Sequence, residues 1–129
     1  MPAPGASLEF ILGPPVDPLL RVKGYSDQEV EDFVREWAYY HQQLREKRYV
    51  QVGKFAGAGD LGRDVVGYVD EPSETGRLDI FQCKQYDHPL YPSDIWLELG
   101  KLCYYTFVQA FRVPERYCFV APRDVGPDL

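Results

Sequence analysis

The sequence predicts an α/β fold, a mixed central sheet flanked by helices, in the order helix, three strands, helix, strand. Three observations carry that expectation. Val30, Phe33, Val34, Trp37, His41 and Leu44 recur at helical spacing. Between residues 49 and 84 three short β-rich runs, YVQVGKFA, DVVGYV and RLDIFQCK, are joined by polar, glycine-containing connections, the pattern of an antiparallel meander. A second helical pattern then precedes the run YCFVA, and a helical crossover returns such a strand parallel to the one before it.

Length and composition narrow the possibilities. A chain of 129 residues is long enough for one domain with a core that needs no disulfide or structural metal. Cys83, Cys103 and Cys118 lie far apart, with no CxxC and no adjacent histidine pair, which points away from a zinc site and towards a reducing, cytoplasmic setting. The first residues lack a basic region and their apolar run is broken by Glu9, so neither a signal peptide nor a membrane partner is expected. The net charge of −6 argues against broad electrostatic adhesion to nucleic acid, which needs Lys and Arg to neutralise phosphates. A site that gathers carboxylates for a metal is itself acidic, so the charge does not exclude one.

Residues 1–25 read as a proline-rich arm without a helix, because proline removes donors and fixes φ. Ser26 and Glu29 form a capping box, and the helix they start is expected to run to about residue 48. On the third strand, alternation sets Leu78, Ile80, Gln82 and Lys84 on one face and Phe81 and Cys83 on the other, the mark of a central strand. Ser93 is the expected cap of the second helix, whose inward face is Ile95, Leu99, Leu102, Cys103 and Phe107. Residues 26–122 form the expected domain, and 123–129 read as a linker cut from something longer.

The chemistry concentrates between Gly57 and Tyr86. Asp64 opens the second strand run, and Gln82, 18 residues on, is followed by Lys84 on the same strand face, roughly 6.6 Å away. Asp64 offers the hard anionic oxygen that Mg²⁺ favours, and Gln82 a neutral carbonyl oxygen. The Lys84 ammonium is placed to stabilise charge on a phosphate, while a metal lowers the pKa of the attacking water. Gly57, Gly59 and Gly62 read as positive-φ turn positions and not as a nucleotide cradle, since no GK[ST] follows them. Asp60 shapes that loop through backbone hydrogen bonds and is a secondary metal candidate. Lys54, Arg63 and Gln85 are the candidate DNA contacts.

The pattern G-x-G-D-x-G-x-D followed by Q-x-K, with Val30-Glu31-Asp32-Phe33-Val34 on the first helix, resembles the PD-(D/E)xK nuclease superfamily and within it the Mrr-like restriction endonuclease branch. The resemblance covers about residues 26 to 122. It implies a restriction-endonuclease-like αβββαβ core and a Mg²⁺-dependent endodeoxyribonuclease, with Mn²⁺ as substitute, that hydrolyses double-stranded DNA by metal-activated water. It further implies Asp64, Gln82, Lys84 and Glu31 as catalytic residues, and Asp64, Gln82, Glu31 and the Cys83 backbone carbonyl as metal ligands. Glu36 competes with Glu31 for the place of the helix acid. Bacterial restriction or anti-phage defence, a C-terminal sensor or ATPase domain and a homo-oligomer are the implied context. Gln82 departs from the superfamily's usual Asp or Glu, so two alternatives stand beside the enzyme: a catalytically silent nuclease-fold binding or scaffolding module, and a branched-DNA (Holliday junction) resolvase.

Overall fold

The computed structural model describes residues 17–55, 61–123 and 126. Helix α1 spans Pro18–Lys23, α2 Asp27–Trp37 and α3 Pro92–Phe107; strands are β1 Gln51–Lys54, β2 Val65–Tyr68, β3 Leu78–Cys83 and β4 Arg116–Val120. The sheet order is β1-β2-β3-β4, with β1–β2 and β2–β3 antiparallel and β3–β4 parallel. This is the mixed α/β architecture that the hydrophobic periods and turn chemistry predict.

Helix α1 corrects the expectation that the arm is free of helix. Asp17 Oδ1 accepts from the amides of Leu19 at 2.9 Å and Leu20 at 3.3 Å, and Pro18 occupies the first turn, where its missing donor costs nothing. The next helix starts at the predicted capping box: Glu29 N–H donates to Ser26 Oγ, and Ser26 N–H donates to Glu29. Past Trp37 the chain continues in π-helical turns from Ala38 to Arg45. Each such turn takes in an extra residue, so the α-helical spacing of the inward face ends there. Val30, Val34 and Ala38 are buried, whereas Phe33, Trp37 and Leu44 are exposed.

Two apolar clusters sandwich the sheet. On one face Val30, Val34 and Ala38 pack with Tyr49, Val65 and Phe81; on the other Val66, Tyr68, Leu78 and Ile80 pack with Phe111. Consecutive residues of β2 and of β3 divide between the clusters, as strand alternation requires. Ser93 is not the cap of α3: the helix begins at Pro92, and Tyr91 N–H donates to Asp94 Oδ2 at 2.7 Å. Its expected face holds only in part: Ile95, Leu99 and Leu102 are half-buried, Leu102 against the second cluster, whereas Cys103 and Phe107 are exposed and the buried residue is Glu98.

A polar knot crosses the first cluster. Asp79 on β3 is fully buried and accepts from Arg48 Nε at 2.7 Å, Arg48 Nη2 at 3.0 Å and the Tyr49 hydroxyl at 2.6 Å. Gly67, the residue paired with Asp79 across the ladder, makes this reach possible, because a Cβ there would fall among the ring atoms of Tyr49. Gly67→Ala is therefore expected to destabilise the protein by about 1–3 kcal/mol, the usual cost of overpacking. Chemical denaturation measures it, and an unchanged midpoint would show that the ring can step aside.

Candidate functional site

The β2–β3 register explains the spacing of Asp64 and Gln82. Val65 pairs with Phe81, so the next rung outward sets Asp64 opposite Gln82. The Asp64 carboxylate then accepts from the Cys83 amide at 2.9 Å, fastened to the backbone of the neighbouring strand. Gly62 precedes it with φ +72°, packed against the stem of Lys101 on α3, where a side chain is disfavoured both by backbone and by space. Gly57, Gly59 and Asp60 lie outside the described residues.

Asp64, Gln82, Lys84, Glu31 and Cys83 line one cleft of about 280 Å³, together with Asp27, Glu98 and Lys101. Four of these side chains are carboxylates and two are ammonium groups, an excess of negative charge that suits a cation. Glu31 and Asp64 feel each other directly. Burial first and the Asp64 charge second hold the Glu31 carboxyl above the usual glutamate range, against an opposing Lys54 at 3.8 Å. Glu36 does not enter this cleft; it borders separate hollows with Arg35, Tyr39 and Phe33. Five residues along a helix turn through roughly 500°, which carries position 36 off the face that holds Glu31.

Gln82 and Lys84 share a face, and both reach one partner that sequence reasoning missed. Gln82 Nε2 donates to Glu98 Oε2 at 3.0 Å, Lys84 Nζ to Glu98 Oε1 at 2.7 Å, and Lys101 Nζ stands 3.6 Å from the same Oε1. Gln82 is 4% exposed and Glu98 5% exposed. The other amide atom of Gln82, Oε1, is buried without a hydrogen-bond partner. A buried acceptor left unmet costs free energy, about 1–3 kcal/mol, and this one belongs to a residue lining the cleft. The Tyr117 hydroxyl is likewise buried and unpartnered, its pKa raised by burial first and then by Glu98 and Asp64.

The three candidate DNA contacts have other environments. Lys54 donates to Asp32 at 2.8 Å, and Arg63 is buried with its guanidinium 4.7 Å from the ring centres of both Phe55 and Phe111. Gln85 Nε2 donates to the carbonyls of Val22, Lys23 and Tyr25, tying the end of α1 to the strand. The Cys83 thiol, facing the first core cluster, is pushed up to about 12 by burial and then by Asp64, so it is no nucleophile.

The electrostatics yield a test of Glu31. A carboxyl whose folded pKa exceeds its unfolded one opposes folding once pH rises above both values and has no effect below both. Glu31→Gln is thus expected to raise Tm at pH 7–8 in metal-free buffer, with the advantage fading as pH falls through the folded pKa towards the ordinary glutamate range. A melting series across pH reads this, and a lower Tm for the variant at pH 8 would contradict it.

Among the described residues no three His, Cys, Asp or Glu converge into a ready-made metal cage. Mg²⁺ does not need one, since it binds through one or two carboxylates and takes its other oxygens from water and phosphate. Asp64, Glu31 and the unmet Gln82 Oε1 fit that mode. A larger hollow of about 450 Å³, beside Glu74, Thr106 and Arg112, shares none of these residues. No helix among the described residues is long and apolar enough to cross a membrane. Searches against protein-family models, curated proteins and solved structures return no match for this chain.

Proposed function

We propose that this chain is a divalent-cation-dependent endonuclease domain with a restriction-endonuclease-like core, of the Mrr-like kind in which Q-x-K stands for the usual acidic motif. The observation that carries the reading is Asp64 fixed opposite Gln82, with Lys84 and Glu31 in the same cleft and a buried Gln82 oxygen unmet. Asp64, Glu31 and Gln82 Oε1 would hold Mg²⁺ or Mn²⁺, with the Cys83 backbone beside Asp64. The cation supplies Lewis acidity, polarising a phosphoryl oxygen and lowering the pKa of a water nucleophile. Lys84 offers its ammonium to the charge that builds on the phosphate.

Double-stranded DNA is the proposed substrate, in restriction or anti-phage defence. With Lys54, Arg63 and Gln85 engaged elsewhere, phosphate contact from this cleft falls to Lys84 and Lys101. Two cations give weak affinity and a shallow salt dependence, so further contacts would come from another domain or a second subunit.

Supercoiled plasmid with Mg²⁺ or Mn²⁺ is the direct test. Nicking or linearisation that stops in EDTA is expected, and running a four-way junction in parallel separates duplex cutting from resolvase activity. A silent scaffold is the second reading, favoured by Lys84 already paired with Glu98 and by the lack of a three-acid cage among the described residues. No cutting and no Mn²⁺ binding would favour that scaffold.

A further inference from the structure

A carbonyl oxygen from an amide is a useful metal ligand only if the amide faces the right way, since the same side chain turned over presents two N–H donors. We infer that Glu98, on α3, is the positioning residue that sets this orientation for Gln82 and holds Lys84 beside it. The inference rests on the metal reading of the cleft. Glu98 has one oxygen for each partner: Oε2 accepts from Gln82 Nε2 at 3.0 Å, and Oε1 accepts from Lys84 Nζ at 2.7 Å. A carboxylate only accepts, so it selects the NH₂ end of the Gln82 amide and leaves Oε1 as the end without a partner.

Burial makes the selection strong. Both Glu98 and Gln82 are more than nine-tenths buried, where a donor facing a donor has no water to relieve it. A carboxylate hydrogen-bonded behind a metal ligand also raises that ligand's basicity. Gln82 and Glu98 together thus bring one negative charge and one oriented oxygen to the place where a strand carboxylate would bring both. The charge sits one residue removed from the metal position, and it is shared with Lys84 and Lys101.

Glu98→Gln has nearly the same shape but a different donor pattern. Its one oxygen can replace only one of the two carboxylate oxygens that Gln82 and Lys84 separately use, so in the observed geometry one of them meets its NH₂. Whenever that NH₂ meets Gln82 the Gln82 amide must flip, turning donors towards the cation. The exchanged pair, Gln82→Glu with Glu98→Gln, removes that conflict, because Glu at 82 has two equivalent oxygens and Gln at 98 can donate to one of them.

The experiment is Mn²⁺ binding to the full 129-residue chain, followed by electron paramagnetic resonance, with Tm and the ¹⁵N resonance of the Gln82 side-chain amide recorded for each variant that keeps it. Glu98→Gln is expected to bind Mn²⁺ at least about 10-fold more weakly, the scale of losing a group that supports a metal ligand, and to shift the Gln82 amide signal. The exchanged pair is expected to restore binding. A purely structural Glu98 would give a lower Tm with unchanged affinity and no rescue. Unchanged affinity and an unmoved Gln82 signal in Glu98→Gln overturn the inference while leaving the metal reading standing. If wild type and Asp64→Ala alike fail to bind Mn²⁺, the metal reading falls, and the positioning role of Glu98 falls with it.

Discussion

Asp64→Asn is expected to lower plasmid cleavage by about 10³-fold, or ~4 kcal/mol of transition-state stabilisation, with little change in Tm. The side-chain volume is unchanged, and Asn can still accept the Cys83 amide proton that Asp64 Oδ2 accepts at 2.9 Å. Accepting with its one oxygen turns the Asn NH₂ to the other side, so a cation held there would meet a donor in place of an anionic oxygen. Glu31 would report the same event independently. With the Asp64 charge gone, the second of the two main causes that raise its pKa disappears, and burial is left as the chief one against Lys54.

Lys84 makes a less clean variant than its sequence position promised. Its side chain is 14% exposed and its ammonium is bonded to Glu98, whose side chain is 7% exposed, so removal leaves a buried charge with Gln82 and a more distant Lys101. Lys84→Met keeps the stem, and its stability loss is about 1–3 kcal/mol. Its cleavage loss, expected at about 10²–10³-fold, is then measured well below its Tm. Cleavage at wild-type rates by both variants at the same Mg²⁺ concentration would sink the nuclease proposal.

Local residue patterns carried much of the sheet and part of the site. The separation of Asp64 and Gln82 is a strand register written in sequence, and Gln82 and Lys84 share a face because alternation has period two. Glu31 came from the resemblance alone, with Glu36 as its competitor, and the structure brings Glu31 into the cleft and leaves Glu36 outside it. Glu98 was not legible in that way. Helix α3 carries Ile95, Trp96, Leu97, Leu99, Leu102, Tyr104, Tyr105 and Phe107, apolar residues on nearly every side, so no period singles out one inward face. The one hint was Glu98 followed three residues later by Lys101, which reads equally well as a surface ion pair.

Some polar residues at strand ends and in loops have partners that the sequence did not show, for a related reason. Arg63, Gln85 and Lys54 looked available because their partners are distant in sequence: Phe111 for Arg63, the end of α1 for Gln85 and Asp32 for Lys54. Helix α1 was hidden by a rule applied without position, since proline opposes a helix interior but suits its first turn. The π-helical turns after Trp37 have no period to announce them, and in the α-helix before them the buried row runs through Val30, Val34 and Ala38 at spacing four, with Phe33 and Trp37 beside it.

Asp79→Ala is expected to be the most destabilising single change in the sheet, by about 3–5 kcal/mol, because it strips a half-buried Arg48 and a buried Tyr49 hydroxyl of their shared partner. A domain of this size has about 5–15 kcal/mol in total, so the variant is expected to unfold at markedly lower denaturant. Burial first and the Asp79 bond second raise the Tyr49 pKa, and the Asp79 bond raises that of Arg48, so both partners depend on this one carboxylate. A double-mutant cycle with Tyr49→Phe isolates the hydroxyl's share, expected near 1.5–3 kcal/mol for a hydrogen bond to a charged group. The loss is one of fold and not of chemistry, since Asp79 lies three residues down the strand from Gln82, roughly 10 Å away. At a temperature where Asp79→Ala remains folded, its affinity for Mn²⁺ should match wild type. Weakened Mn²⁺ binding by the folded variant would mean that the Arg48–Tyr49–Asp79 knot and the cleft are coupled through β3, contrary to this separation.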